Sequence, residues 1–268
     1  MIAPTARPME STVHHPNSPH EIATRLPRVE SRSVWGMLWA RIALALLFQS
    51  LLAVGFLVAG DATPWRAAAD WWLASFALAE LVNLLLLRRV ASAEGIRLRD
   101  LYNRGGTRRR QDLKWTGLAV LVAAPLVLIP SVLLAGALWG DAQSSQELIF
   151  RSIPVGAAWA TLAVFPVIHA LTELPTYFGY VMPRMEALTG KRLMPMLATA
   201  SILSLQHVFL PLLFDWRYIV WRALMFLPLA LWFAWIIRRR PTALPYLAVA
   251  HGLLDISLPI YVLVASIT

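Results

Sequence analysis

Long apolar runs are the feature that most restricts the fold of this chain. Seven of them follow one another with short polar joints between them, and each is close to the length of a helix that crosses the hydrocarbon core. They cover approximately residues 35–59, 65–87, 115–139, 152–183, 193–214, 218–237 and 242–265. Of the 268 residues only 15% are charged, whereas soluble proteins average about 25%. We therefore predict an all-α integral membrane protein with about seven transmembrane helices.

The first residues differ from the rest of the chain. Residues 1–33 are rich in Pro, Ser, Thr and charge and have no apolar periodicity, which is typical of a disordered tail. They lack the short apolar core of a cleavable signal. We predict a cytoplasmic tail over 1–33 and a polytopic membrane domain over 34–268.

The distribution of arginine predicts the orientation. Basic residues are concentrated in the joints near 88–114, 184–192 and 238–240, which fall on one face if the seven runs alternate in direction. Cytoplasmic loops retain such charge, so we predict a cytoplasmic N-terminus and a C-terminus on the opposite face. This topology accounts for the net charge of +9. The sequence shows no module of interleaved aromatic and basic residues of the kind that binds nucleic acid, so we expect a lipid bilayer and no nucleic acid as partner. Arginine outnumbers lysine and no sorting signal is visible, which favours a bacterial inner (plasma) membrane.

A few ionisable residues lie inside the apolar runs of the C-terminal half. Glu173, His207 and the pair His251 and Asp255 stand on three predicted helices. By helical rise they lie about 16 to 22 Å from the arginines of the predicted cytoplasmic face, so their depths are similar. An ionisable group at the centre of a spanning helix costs roughly 3 kcal/mol, which points to a function. Together they predict a buried active site, with His169 one helical turn before Glu173.

A carboxylate inside an apolar cavity can act as a general base for water, and imidazoles can orient that water or donate to an oxyanion. Peptide hydrolysis fits these roles. The chain has no cysteine, which excludes thiol chemistry and disulfides, and no G-x-S-x-G motif of serine hydrolases.

At these residues the chain resembles the CPBP family, the CAAX protease and bacteriocin-processing (Abi) family of intramembrane glutamic proteases. That family carries E-E-x-x-x-R, then F-x-x-x-H, then H-x-x-x-N or H-x-x-x-D on successive core helices. Here Glu173-Leu-Pro-Thr-Tyr-Phe-Gly-Tyr is similar to the first motif, Leu203-Ser-Leu-Gln-His207 to the second, and His251-Gly-Leu-Leu-Asp255 to the third. The resemblance covers about residues 165–258, within a predicted CPBP-like core of four helices at about 150–265.

The resemblance implies an intramembrane endopeptidase that works without a metal ion or other cofactor. In it, Glu173 and His207 activate water, while His251 and Asp255 stabilise the oxyanion. Its substrate is a peptide or protein cleaved near the membrane. Leu174 replaces the second Glu of the first motif and Phe178 replaces its Arg, so catalysis is in question.

Three alternatives stay open at the level of sequence. The first is a non-catalytic membrane protein that binds a peptide or regulates a partner through the same cavity. The second is a metal or haem site, since His169, His207 and His251 with Glu173 and Asp255 are acceptable ligands. The third is a transporter, although no duplicated halves are visible. Arg41, Gln49, Glu80 and Asn83 also lie in the apolar runs, and we expect them to form interhelical or interfacial contacts.

Overall fold

The computed structural model describes residues 30–102 and 109–268, and this part of the chain is helical and contains no strand. Most of the predicted tail, residues 1–29, lies outside the described residues. The α-helices are α1 (Ser31–Val58), α2 (Pro64–Asp70), α3 (Trp72–Ala93), α4 (Leu98–Tyr102), α5 (Arg109–Trp139), α6 (Gln143–Glu147), α7 (Val155–Leu174), α8 (Met182–Thr189), α9 (Leu193–Gln206), α10 (Trp216–Met225), α11 (Leu227–Arg239), α12 (Leu244–Asp255) and α13 (Ser257–Ile267). A π-helix, Pro175–Val181, joins α7 to α8, and a 3₁₀ turn, Pro241–Ala243, precedes α12.

The prediction of an all-α multi-pass membrane protein is confirmed. Within the described residues, five helical stretches are long and apolar enough to cross a membrane: Ser31–Val58, Arg109–Trp139, Val155–Thr189, Trp216–Arg239 and Pro241–Ile267. The predicted count of seven is not confirmed. Helix α3 has 22 residues but includes Glu80, Arg88 and Arg89, and α9 has only 14 residues, too short to cross the hydrocarbon core by itself.

Ion pairs connect the arginine-rich joints at one end of the bundle. The guanidinium of Arg184, in α8, is fully buried and lies 2.6 Å from the carboxylate of Glu94, which follows α3. Arg240, which follows α11, lies 2.9 Å from the carboxylate of Asp112 in α5. The end of α3 thus lies beside the beginning of α8, and the end of α11 beside the beginning of α5. One apolar cluster includes Ile96, Met182 and Ile237, so these termini share one face of the molecule.

Indole groups connect a second set of joints at the other end. Trp72 Nε1 donates to the carbonyl of Ile149 at 3.0 Å, and Trp65 Nε1 donates to the carbonyl of Leu212 at 2.9 Å. The segment after α9 thus reaches the beginning of α2, whereas α9 itself begins directly after the basic joint 184–192, at the opposite end of the bundle. Residues 193–212 run between the two ends of the bundle, although only the first part of this segment is α-helical.

Two apolar clusters fill the interior, one toward each end, and several helices contribute to both. Helix α1, for example, contributes Leu38 to one cluster and Ala45 to the other, with Arg41 between them. Helices α3 and α7 also place polar side chains between their contributions to the two clusters, and Gln206, at the end of α9, lies between Leu203 of one cluster and Leu210 of the other. We call this set the polar layer; it consists of Arg41, Glu80, His169, Thr172, Glu173, Gln206, His251 and Asp255.

Close packing at one glycine positions α12 against α7. A Cβ at Gly252 would lie 2.6 Å from Cβ of Ala170 and 2.8 Å from the carbonyl oxygen of Pro166. Real Cβ atoms do not approach other atoms so closely, so only glycine permits this contact. Since His251 is the neighbour of Gly252, the close approach also fixes the distance between His251 and α7.

Candidate active site in the polar layer

Glu173 is the centre of the polar layer. Its side chain is 1% exposed, and three other helices supply groups that contact it. Arg41 Nη2 of α1 donates to Oε2 at 2.9 Å, and Gln206 Nε2 of α9 donates to the same oxygen. His251 Nε2 of α12 lies 2.8 Å from Oε1. The two carboxylate oxygens thus have different surroundings, because Oε2 is anchored by amide and guanidinium groups and Oε1 faces imidazole.

Arg41 and Glu80 belong to the same network. Arg41 Nη1 donates to Glu80 Oε2, and its Nε donates to Gln206 Oε1 at 2.8 Å. The hydroxyl of Thr172 also donates to Glu80 Oε2. We expected Arg41 and Glu80 to make interhelical contacts, which they do, but the sequence did not show that those contacts lead to Glu173.

His169 brings Glu80 and the His251 pair together. Its Nδ1 lies 2.9 Å from Glu80 Oε1, while its Nε2 lies 3.5 Å from Glu173 Oε2 and 3.4 Å from Asp255 Oδ2. His251 Nε2 is also 3.4 Å from Asp255 Oδ2. The structure therefore brings together three of the four predicted site residues and adds His169.

His207 is the fourth predicted residue, and the described contacts do not join it to Glu173. Its Nδ1 lies 2.9 Å from the carbonyl of Leu203, and its ring stacks on Phe226 with 3.9 Å between the ring centres. Arg222 Nε donates to its backbone carbonyl at 2.9 Å. Helix α9 ends at Gln206, so the preceding residue, Gln206, faces Glu173 while His207 turns toward α10 and α11.

The other two polar residues predicted to be interhelical contact different parts of the fold. Gln49 makes two hydrogen bonds to the backbone of Leu212, and Asn83 Nδ2 donates to the hydroxyl of Thr176 at 3.0 Å. Both are buried, and these bonds satisfy the amide of Gln49 and the amide nitrogen of Asn83, whose Oδ1 has no hydrogen-bond partner among the described residues. They hold the helices around the polar layer.

Other helices supply the groups that the first motif lacks. Leu174 and Phe178 are buried in the apolar core, where neither can supply charge. The guanidinium of Arg41 nevertheless contacts Glu173. The carboxylate of Glu80 contacts the same guanidinium. The departures at 174 and 178 therefore do not leave Glu173 without charged neighbours.

Comparisons with protein-family models, with curated proteins and with solved structures found no match for this chain. The family resemblance rests on the motif residues alone.

Proposed function

We propose that the protein is a glutamate-dependent intramembrane endopeptidase that hydrolyses peptide bonds near the membrane. The observation that carries the proposal is the position of Glu173, a fully buried carboxylate inside an apolar helical bundle that is held from three other helices. Ionisable groups inside a membrane bundle are rare, are paired with other groups, and are concentrated at functional sites.

In this proposal Glu173 is the general base. Arg41 and Gln206 hold Oε2, which leaves Oε1 to accept a proton from a water molecule that replaces the direct 2.8 Å contact between Oε1 and His251 Nε2. The resulting hydroxide attacks the peptide carbonyl carbon, and His251 donates to the developing oxyanion. The C–N bond then breaks, and the proton held by Glu173 passes to the leaving amine. His207 can contribute to water activation only through a bridging water, because its ring contacts Leu203 and Phe226.

The exposed fractions of the site residues favour one direction of access. The side chains of His251 and Asp255 are 12% and 18% exposed, whereas that of Glu173 is only 1% exposed. A substrate would therefore approach along α12 and reach the two less buried residues before the carboxylate.

We also propose seven membrane crossings, with α3 and the 193–212 segment as the two additional ones. The contact of Arg184 with Glu94 lies at one end of α3 and that of Trp72 with Ile149 at the other, while Leu212, at the end of the 193–212 segment, contacts Trp65. The arginine-rich face would be cytoplasmic, which places the N-terminus in the cytoplasm. A bacterial plasma membrane is consistent with the preference for arginine.

A non-catalytic protein that binds a peptide through this site is the second candidate. Its support is that Oε1 and Oε2 of Glu173 both have partners already, and that Leu174 and Phe178 depart from the hydrolytic motif.

The test is cleavage of a fluorogenic peptide library by purified protein in detergent, with Glu173→Gln as the variant. We expect the substitution to reduce the rate at least about 100-fold, since it removes the base and leaves the amide unable to accept the proton. Glu186→Gln is the matched control, because Glu186 is in the adjoining α8 and makes only a 3.7 Å contact to Arg192. Cleavage by folded Glu173→Gln at the rate of the parent would exclude the proposed base. No cleavage by the folded parent would favour the binding protein.

A further inference from the structure

Three potential metal ligands converge on one point in the polar layer. His169 offers Nε2, His251 offers Nε2 and Asp255 offers Oδ2, and these atoms lie within 4.8 Å of one another. Each imidazole nitrogen is 3.4 Å from the carboxylate oxygen. Ligands bound to Zn²⁺ at about 2.0–2.1 Å in a tetrahedral site are separated by roughly 3.3–3.4 Å, so two of the three separations already fit.

Asp255 is the residue whose surroundings call for a further group. Its Oδ2 atom is buried and has no hydrogen-bond partner among the described residues. Buried carboxylate oxygens are normally satisfied, because each unsatisfied one costs free energy. This oxygen points to the two imidazole nitrogens, where an ion bound by all three would satisfy it.

His169 is also held in the orientation that a ligand requires. Its Nδ1 lies 2.9 Å from Glu80 Oε1, so that Nδ1 can carry the proton and Nε2 can present its lone pair to the cluster. A carboxylate on the far nitrogen of a histidine ligand is a common second contact in metal sites. Glu80 is in turn fixed by Arg41 and Thr172.

The balance of charge around the cluster permits either a divalent cation or two protonated imidazoles. Glu80, Glu173 and Asp255 supply three carboxylates, and Arg41 is the guanidinium in contact with two of them. With both imidazoles neutral, two negative charges remain in an apolar interior, where uncompensated charge is costly. One divalent cation balances them, as would one added proton on each imidazole.

We propose that His169, His251 and Asp255 bind a divalent first-row metal ion, Zn²⁺ or one of similar ligand preference. Two imidazoles and one carboxylate are a ligand set that Zn²⁺ accepts, and the fourth position remains for water or a substrate. His251 Nε2 now lies 2.8 Å from Glu173 Oε1; when Nε2 binds the ion this hydrogen bond is lost, and Oε1 is left beside the fourth position, where it can accept from a bound water. The inference goes beyond the proposed function and does not rest on it, because the ion binds whether or not the chain hydrolyses peptides. It departs from the metal-free mechanism that the family resemblance implies.

The test uses the full chain with His14, His15 and His20 replaced by Gln, because these lie outside the described residues and could bind ions themselves. This parent is purified in detergent, stripped with a chelator, and loaded with Zn²⁺ or with Co²⁺. We expect about one ion per chain by elemental analysis and the visible absorption of tetrahedral Co²⁺. Asp255→Asn should weaken binding at least about 10-fold, and His207→Gln, the matched control outside the cluster, should not.

Folding of the variants is measured separately, by thermal unfolding without metal. Without metal, Asp255→Asn should unfold at the temperature of the parent or above it, because Oδ2 has no hydrogen bond to lose and the substitution removes one uncompensated charge. Added Zn²⁺ should raise the unfolding temperature of the parent and not that of Asp255→Asn, since an ion that binds only the folded state stabilises it. A parent that binds no ion, or an Asp255→Asn variant that binds as tightly as the parent, overturns the proposal. Protonated imidazoles then balance the charge.

Discussion

The side chain of Arg41 bridges carboxylates from two other helices, and all three groups are buried. Its Nη1 contacts Glu80 and its Nη2 contacts Glu173, with exposed fractions of 0% and 1% for the two acids. Removal of one member of a buried ion pair is strongly destabilising, because the partner is left as an uncompensated charge. Arg41 is therefore a residue on which the geometry of the whole polar layer depends.

Arg41→Met should lower the free energy of unfolding by about 3–5 kcal/mol, since two buried carboxylates lose their cation. Thermal unfolding in detergent measures the change. The double variant Arg41→Met with Glu80→Gln should be more stable than Arg41→Met alone, because one of the two stranded charges is removed with it. Strictly additive losses would show that Arg41 and Glu80 do not interact energetically.

Residue types in the apolar runs predicted part of the site. Glu173, His251 and Asp255 were singled out because an ionisable group is costly in an apolar helix, and the three do lie together. The same argument applied to Arg41 and Glu80 would have added them to the site. The sequence could not show whether Gln206 or His207 faces Glu173. Which of them does so depends on where α9 ends, and neighbouring residues point about 100° apart around a helix.

At the level of elements, helix ends were harder to predict than helices. The apolar run 193–214 predicted one helix, but α9 ends at Gln206. Arg222 binds the carbonyls of His207 and Leu210, and Gln49 binds the backbone of Leu212, so side chains replace the helical hydrogen bonds there. Such partners are remote in sequence, so periodicity cannot show them. Pro211 further disfavours a continuous helix in this stretch.

The packing of α12 against α7 gives a prediction at this scale. Gly252→Ala would place a Cβ 2.6 Å from Cβ of Ala170, so α12 must move away from α7 and carry His251 with it. Overpacking of this kind costs about 1–3 kcal/mol, which thermal unfolding would detect. The same variant should weaken any function of the polar layer, because the contact between His251 and Glu173 lengthens.

Gly117→Ala is the matched control, since nothing lies within 4 Å of a Cβ there and alanine favours α-helix. It should be neutral or stabilising. Ala170→Gly in the Gly252→Ala background should restore part of the lost stability, because it removes one of the two close contacts. Equal stability of Gly252→Ala and Gly117→Ala would contradict the close packing of α12 on α7.

The number of membrane crossings is a property of the whole molecule. The succession of apolar runs in the sequence predicted seven crossings. Within the described residues, five helical stretches are long and apolar enough to cross a membrane. The two numbers assign opposite sides to the joints near residues 143 and 191 and the same side to the joint near residue 62. With a cytoplasmic N-terminus, seven crossings place residues 62 and 143 outside and residue 191 inside. Five crossings leave 62 outside but place 143 inside and 191 outside.

Single cysteines can decide between these topologies, because the chain has none of its own. Ala62→Cys, Gln143→Cys and Lys191→Cys introduce a thiol at exposed positions in three different joints. In intact cells, a membrane-impermeant maleimide should label the cysteines at 62 and 143 and reach the one at 191 only after the membrane is opened. We expect this result because the contacts of Arg184 with Glu94 and of Trp72 with Ile149 lie at the two ends of α3, and the contact of Trp65 with Leu212 lies at the end of the 193–212 segment that is farther from the arginine-rich face. Labelling of 62 and 191 without 143 would mean that α3 and α9 do not cross the membrane. Glu80 and Gln206 would then reach Glu173 from segments that begin and end on one side.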